Sequence, residues 1–187
     1  SKHKSVLRIF TIKKTEDGLQ QRFGSCVLID PTIIVTAAHV VIDTEKCTVK
    51  TDSNNSVNVD FCVFPSAFLE NSKEITKSPS DIAICHLEQS IKIDFYPKLY
   101  DKFDESGKIC SIAGFGATGI HGSTKTISDG RRRAGSNIID GIFDSMLECS
   151  INSGKNTSLE FLINVGDSGG GLFIDKKLAG INSSIYK

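Results

Sequence analysis

Short apolar segments alternate with clusters of turn residues along most of the chain. Such short alternating segments are typical of β-strands, because successive side chains on a strand point to opposite faces. No segment keeps a helical period over three turns, although Ala37 to Asp43 is expected to form one short turn of helix. Strands are predicted at Val6 to Ile12, Ser25 to Ile29, Ile33 to Ala37, Cys47 to Lys50, Val57 to Phe64, Ile82 to Leu87, Ile109 to Ala113, Met146 to Ile151, Phe161 to Val165, Leu172 to Ile174 and Leu178 to Ile181.

Two stretches interrupt this pattern. Asp94 to Gly107 contains a proline and several charges but little periodicity, as is typical of a linker. We therefore expect an all-β chain of two units, residues 1–95 and 96–187. The second stretch, Gly114 to Gly141, is rich in Gly, Ser and Thr and carries three consecutive arginines, Arg131 to Arg133. It is predicted to be a solvated surface loop rather than an anion site.

Charge and hydropathy exclude several classes of partner. The chain has 22 basic and 22 acidic residues and a net charge of +0, so no overall field attracts nucleic acid. No apolar run approaches the roughly 18 residues that cross a bilayer. We expect neither a nucleic-acid partner nor a membrane span. A secreted or periplasmic location is favoured, with any signal peptide already removed, and the oligomeric state is not indicated.

Cysteine and histidine spacing gives little support for cross-links or metal sites. The six cysteines are widely and irregularly spaced, without a CxxC motif, so most are expected to be free buried thiols. If one bridge forms, Cys47 to Cys62 is the best candidate. The four histidines lie singly along the chain, and none has another ligand at metal-binding spacing. No metal site is predicted.

The strongest local signal is the glycine-rich sequence Gly166-Asp167-Ser168-Gly169-Gly170-Gly171, which lies between two apolar segments. Glycine on both sides of Ser168 lets the backbone turn tightly, expose the hydroxyl and aim neighbouring N–H groups at one point. Such a turn can hold an oxyanion. A plain glycine-rich turn is the simpler alternative, and a phosphate-binding loop is disfavoured because no lysine follows the glycines.

A second glycine pattern resembles a dinucleotide-binding motif but does not indicate such a site. Residues 114–119 match GxGxxG after a predicted strand, as in dinucleotide-binding folds. Such a site also needs a helix that opens at the glycines. The residues that follow have no helical period, so this interpretation is rejected.

A serine hydroxyl needs a general base and a group that orients the base before it becomes a good nucleophile. His39 follows an apolar segment in Val35-Thr36-Ala37-Ala38-His39, where small alanines allow a close backbone approach. Asp81 heads another apolar segment, where its carboxylate can be buried and still accept hydrogen bonds. Each residue alone is equally well explained as structural, and their joint presence with Ser168 favours catalysis.

These three segments resemble the signature motifs of the chymotrypsin/trypsin-like serine proteases, in the same order and with similar gaps of 42 and 87 residues. The resemblance implies two antiparallel six-stranded β-barrels, the second possibly incomplete at the C-terminus. His39 and Asp81 would come from the first barrel and Ser168 from the second. The triad would act without any cofactor.

The same resemblance assigns the surrounding site. It places an oxyanion hole at the N–H groups of Gly166 and Ser168, and Ser183 beside Asp81. Ser183, Ser184 and Ile185 would pair with the substrate as an added strand. Leu162 falls at the base of the specificity pocket and Ile185 at its mouth, which together favour small or aliphatic residues before the scissile bond.

The chain also departs from that family. The positions of a disulfide that usually brackets the histidine are Phe23 and Val40, and Asn164 replaces another usual cysteine. These losses suggest a bacterial-type member or a reducing compartment. Only 19 residues follow Ser168, fewer than the final strands need. No activating N-terminal segment is present to pair with Asp167.

The predicted function is a serine endopeptidase that cleaves protein or peptide substrates through an acyl-enzyme. The alternative is a protease-fold protein used for binding or regulation, inactive or zymogen-like because Asp167 lacks a charged partner.

Overall fold

The computed structural model describes residues 3–70, 78–120, 125–151 and 157–185. Within these ranges the chain forms twelve strands and two short helices. In chain order they are β1 (Val6–Thr15), β2 (Gly18–Asp30), β3 (Ile33–Thr36), α1 (Ala38–Val41), β4 (Thr44–Lys50), β5 (Ser56–Val63), α2 (Ser66–Glu70), β6 (Ala83–Leu87), β7 (Ile109–Gly114), β8 (Arg133–Ile138), β9 (Gly141–Phe143), β10 (Met146–Glu148), β11 (Gly171–Ile174) and β12 (Lys177–Ile181).

The first half of the chain closes into a six-stranded antiparallel barrel in the order β1-β2-β3-β6-β5-β4. Apolar side chains alternate with others along β1, and this alternation decides which face of the strand points to the core. Leu7 and Ile9 are buried in the barrel core, while Arg8 and Phe10 are only partly covered. The predicted turn of helix is present as α1, directly after β3. Closure removes the exposed sheet edges and leaves the ends of β3 and β6 side by side.

The second half contains a four-stranded antiparallel sheet, β12-β11-β7-β8, and a separate two-stranded sheet, β9-β10. The all-β prediction is confirmed: the first barrel is closed, and the described residues of the second half form a partial barrel. The two halves share an apolar cluster that includes Val6 and Val27 from the barrel and Phe115 and Phe173 from the second sheet. The boundary between residues 95 and 96 lies in the segment that connects β6 to β7, and it stays a prediction.

Two predicted elements were wrong. The segment Phe161 to Val165 is not a strand, and β8 lies inside the stretch predicted to be a surface loop. The side chains of β8 hardly alternate, but its backbone pairs with β7 over its whole length, so hydrogen bonding rather than pattern defines it. Phe161 packs against Gly135 of β8, where any Cβ would lie 2.5 Å from the Phe161 Cβ.

The arginine cluster is also better anchored than a solvated loop. The Nε of Arg132 donates to the Val6 carbonyl at 2.7 Å, and its guanidinium pairs with Asp52. Arg133 pairs with Asp129 at 2.8 Å, at the start of β8. These contacts attach the segment before β8 to the first barrel. No helix among the described ranges has both the length and the apolar character to cross a membrane.

The disulfide expectation is corrected by the strand register. Cys62 and Cys85 are directly opposite on β5 and β6, with their Cα atoms 4.0 Å apart, and they form a disulfide. Cys47, the candidate partner of Cys62, is a free buried thiol. The sequence could not show this pairing because it depends on a bulge between Val59 and Phe61 that sets the β5 register.

Candidate active site

The end of β3 and the start of β6 bring His39 and Asp81 together. Thr36 at the end of β3 pairs with Ala83 at the start of β6. The residues just after β3 therefore lie close to the residues just before β6. Ala37 and Ala38 are completely buried, and their small side chains allow the turn into α1. The His39 Nδ1 lies 2.7 Å from Asp81 Oδ2, and the His39 backbone N–H donates to Asp81 Oδ1 at 2.9 Å.

The Asp81 carboxylate is buried but kept ionised. Burial by itself raises the pKa of Asp81, but hydrogen bonds from His39 and Ser183 outweigh burial and hold the pKa below its usual value. A carboxylate accepts only, so His39 must carry its proton on Nδ1. The imidazole Nε2 is thereby left as an acceptor.

The loop that carries Ser168, residues 166–171, requires glycine at two positions. Gly166 and Gly169 have φ of +96° and +84°, a region that other residues rarely adopt. At Gly169 a Cβ would lie 2.1 Å from the Ser25 carbonyl oxygen and from Thr36 Oγ1. The loop therefore presses directly against the first barrel, next to the strand that leads to His39.

Ser25 on β2 joins the two halves at this loop. Its hydroxyl donates to the Gly166 carbonyl at 2.9 Å and accepts from the Phe115 N–H at 2.9 Å, while its own N–H donates to the Ser168 carbonyl at 2.8 Å. Ser25 is completely buried. No pattern in the sequence pointed to this role of Ser25.

Asn182, directly after β12, holds the loop from the other side. Its side-chain amide donates to the Ala113 carbonyl at 3.2 Å and to the Asp167 carbonyl at 3.3 Å. Its backbone carbonyl accepts from the Gly169 N–H at 2.7 Å. No sequence signal pointed to Asn182, because buried amides of this kind belong to no spacing pattern.

The Asp167 carboxylate accepts hydrogen bonds from two backbone groups. Its two oxygens accept from the backbone N–H groups of Gly116, at 2.7 Å, and Asn164, at 2.9 Å. Burial nevertheless raises the pKa of Asp167, because these neutral donors only partly offset desolvation. In the described part of the chain, the N–H groups of Gly166 and Ser168 donate to no protein atom, so both are available to a ligand.

The Ser168 hydroxyl lies beside this network rather than directly on the histidine. It donates to the Ser183 carbonyl at 3.4 Å, and the Ser183 hydroxyl in turn donates to Asp81. Among the described residues, Ser168 Oγ makes no hydrogen bond to His39. The structure thus brings His39, Asp81 and Ser183 into direct contact and places Ser168 next to them.

The predicted pocket residues lie outside the strands and are partly or largely exposed. Leu162 is 39% exposed and Ile185 is 57% exposed, and Ser184 is partly buried. None of them lies in a regular strand. Their assignment to a specificity pocket stays a prediction.

The contact between Gly116 and Asp167 predicts a large stability difference between two glycine replacements. A Cβ at Gly116 would lie 2.3 Å from Asp167 Oδ2, so Gly116→Ala should displace that carboxylate and cost about 1 to 3 kcal/mol of unfolding free energy. Gly141→Ala is the matched control, because nothing lies within 4 Å of its Cβ position. Urea denaturation measures both, and equal effects would contradict the contact.

Comparison with known proteins identifies the family and the fold of the chain. The sequence model of the Trypsin family matches residues 9–187. A comparison with curated protein sequences finds no match. Among solved structures, mouse neuropsin, a serine protease expressed in the limbic system of the brain, aligns with a TM-score of 0.72 at 19% identity, covering 97% of this chain and 82% of that one.

Two further structures show how widely the fold is shared. The scabies mite inactivated protease paralogue S-D1 aligns with a TM-score of 0.72 at 18% identity, covering 98% of this chain and 82% of that one. A Glu endopeptidase aligns with a TM-score of 0.67 at 16% identity, covering 98% and 80%. At such identities the likeness concerns the fold alone, and the fold is common to proteases and to an inactivated relative. Because the family model spans nearly the whole sequence, the chain belongs to the trypsin family of chymotrypsin-like serine proteases.

Proposed function

We propose that the protein is a serine endopeptidase in which Ser168 is the nucleophile, His39 the general base and Asp81 the residue that orients the histidine. The observation that carries this proposal is the 2.7 Å hydrogen bond from His39 Nδ1 to the buried, ionised Asp81. In the neutral imidazole that bond places the proton on Nδ1 and leaves Nε2 as the acceptor that a base requires. Ser168 is linked to Asp81 by two hydrogen bonds through Ser183, one to the Ser183 carbonyl and one from the Ser183 hydroxyl.

The reaction would begin when the Ser168 hydroxyl turns from the Ser183 carbonyl towards Nε2 of His39. This turn would be a rotation about the Ser168 Cα–Cβ bond, and the 3.4 Å hydrogen bond that it gives up is long and weak. His39 takes the proton as Ser168 attacks the substrate carbonyl, and later gives the proton to the leaving amine. The Asp81 carboxylate stabilises the imidazolium that forms between these steps.

The negative oxygen of the tetrahedral intermediate would bind the N–H groups of Gly166 and Ser168. Each such donor contributes about 3 to 4 kcal/mol in the transition state when it is aimed at the oxyanion beforehand. The loop is positioned by Ser25, Asn182 and the Asp167 carboxylate, so both donors are in place before substrate arrives. Water then hydrolyses the acyl-enzyme by the reverse sequence.

A protein or peptide substrate would add to the edge formed by Ser183, Ser184 and Ile185. These residues follow β12 outside any strand in the described chain, so their backbone groups can pair with an extended peptide. Peptide hydrolysis is favoured over the alternative, a binding or regulatory protein. The alternative rests on an Asp167 without a charged partner, and the two hydrogen bonds that its carboxylate accepts come from neutral N–H groups. The His39–Asp81 hydrogen bond, which orients a base, is what favours hydrolysis.

The apolar residues Leu162 and Ile185 predict the preference before the scissile bond. A buried Arg or Lys side chain would find no counter-charge there and would bear the cost of desolvation. Small or medium aliphatic residues such as Ala, Val or Leu should therefore be preferred. Cleavage profiling with a peptide library measures this, and a dominant preference for Arg or Lys would contradict it.

A fluorophosphonate probe tests the central proposal. The probe reacts with an activated serine and not with an ordinary hydroxyl, so peptide mapping should find the label on Ser168 alone. Protein unfolded in urea is the control and should remain unlabelled. A folded protein that the probe does not label at Ser168 would favour the binding or regulatory function.

A further inference from the structure

One outer face of the barrel, on β2, β1 and β4, carries positive charge without any negative charge. The strand register places its ten side chains together, since Phe10 is opposite both Phe23 and Thr48, and Ile12 is opposite both Gln21 and Lys46. We call this surface the cationic face. Its members are Leu19, Gln21 and Phe23 on β2, Arg8, Phe10, Ile12 and Lys14 on β1, and Lys46, Thr48 and Lys50 on β4.

Two of the cations on this face, Arg8 and Lys50, rest on aromatic rings instead of carboxylates. The Arg8 guanidinium lies 4.4 Å from the centre of the Phe23 ring and 4.7 Å from that of Phe10. The Lys50 ammonium lies 6.0 Å from the Phe10 ring centre. Asp52, which lies two residues after Lys50, is already paired with Arg132. Within the described ranges, Arg8 and Lys50 make no ion pair, so no carboxylate of the protein neutralises their charges.

The face also has a hollow that could receive side chains. A shallow depression of about 320 Å³ lies between β1 and β4, and Phe10, Gln21, Lys46 and Lys50 contribute to its lining. The lining combines an aromatic floor with two ammonium groups and has no acidic residue. Carboxylates are the groups that such a lining would bind, because they complement its charge.

The cationic face begins at the candidate active site. The Phe23 side chain packs against Gly166, where a Cβ would lie only 2.5 Å from Phe23 Cε2. Gly166 carries one of the two proposed oxyanion donors. A substrate whose acyl half pairs with Ser183 to Ile185 would pass Gly166 and continue over Phe23 with its leaving-group half.

We propose that the cationic face binds an acidic segment of the polypeptide substrate, downstream of the scissile bond. This proposal rests on the proposed peptidase function. Neighbouring strands are about 4.8 Å apart, so β4 lies about 10 Å from β2, a distance that about three extended residues cover. The acidic residues should therefore fall about three to six positions after the cleaved bond, where they reach Lys46 and Lys50.

Paired substrates test the proposal directly. Two quenched fluorescent peptides would share an aliphatic residue before the scissile bond and the first two residues after it, and would then continue with Glu-Asp-Glu or with Gln-Asn-Gln. The acidic peptide should have a kcat/KM about tenfold higher or more at low ionic strength, and the ratio should fall towards one in about 0.5 M salt. A ratio near one at low salt would overturn the proposal.

Charge-reversal variants test whether Lys46 and Lys50 bind the acidic segment. In Lys46→Glu/Lys50→Glu the ratio of the two kcat/KM values should fall below one. Lys92→Glu/Lys98→Glu is the matched control, since it changes the charge equally at exposed positions outside the face and should keep the wild-type ratio. An unchanged ratio in the first variant would overturn the proposal. If that variant does not fold, Lys46→Gln/Lys50→Gln replaces it, with the ratio expected to approach one.

A binding measurement separates this proposal from the peptidase function. Ser168→Ala should bind a labelled peptide of the acidic leaving-group half more tightly than its amide counterpart, by fluorescence anisotropy. If fluorophosphonate labelling fails but the acidic peptide is preferred, the peptidase function is wrong and the acid-binding face stands. If labelling succeeds without that preference, the face does not bind acidic segments.

Discussion

Replacement of Ser168 by alanine is expected to lower turnover of amide and ester substrates by about 10⁶-fold, the loss typical when a triad nucleophile is removed. The fold should survive, because the hydroxyl makes a single 3.4 Å hydrogen bond and the side chain is only partly buried. The unfolding free energy should therefore change by less than about 0.5 kcal/mol. Steady-state kinetics and urea denaturation measure the two effects.

Ser128→Ala is the matched control for this prediction, since Ser128 is exposed and lies outside the site. It should keep full turnover. If Ser168→Ala retains more than about one per cent of wild-type activity while the control behaves as expected, Ser168 is not the nucleophile.

Replacement of Asp81 by asparagine should lower turnover by about 10⁴-fold with little change in shape. An amide oriented with its NH₂ group towards His39 cannot accept from Nδ1–H. The imidazole would then carry its proton on Nε2, where it cannot act as a base. Fluorophosphonate labelling of Ser168 should slow by a similar factor, and an effect below tenfold on both would remove Asp81 from the triad.

The pH dependence of stability gives this variant a second measurement. Because the pKa of Asp81 is lower in the folded protein than in the unfolded chain, its ionisation stabilises the fold above about pH 4. That contribution is lost as the pH falls through the lowered pKa. The wild type should therefore lose more unfolding free energy than Asp81→Asn between pH 5 and about pH 2, as measured by urea denaturation.

The sequence was most informative where function depends on local residues. The turn around Ser168 needs glycine because of its backbone angles, and the turn before His39 needs alanine because of close packing, so both are visible as short motifs. The barrel strands were predicted for the same reason, since burial on one face leaves an alternating pattern.

Features that depend on distant pairings could not be predicted. Ser25 contacts residues 90 and 141 positions away, and Asn182 contacts Ala113, so neither produces a pattern in its own segment. The Cys62–Cys85 disulfide depends on the register of β5 and β6 in the same way. For β8, full pairing with β7 stabilises a strand that its side chains do not mark.

The Asp81 carboxylate joins the two halves of the chain. It accepts two hydrogen bonds from His39 within the barrel and one from the Ser183 hydroxyl of the second half. Separating the halves would remove the Ser183 hydrogen bond and would also break the contacts of Ser25 with Gly166 and Phe115. The residues of the proposed triad are therefore divided between the halves, and neither half expressed by itself would hold His39, Asp81 and Ser168 together.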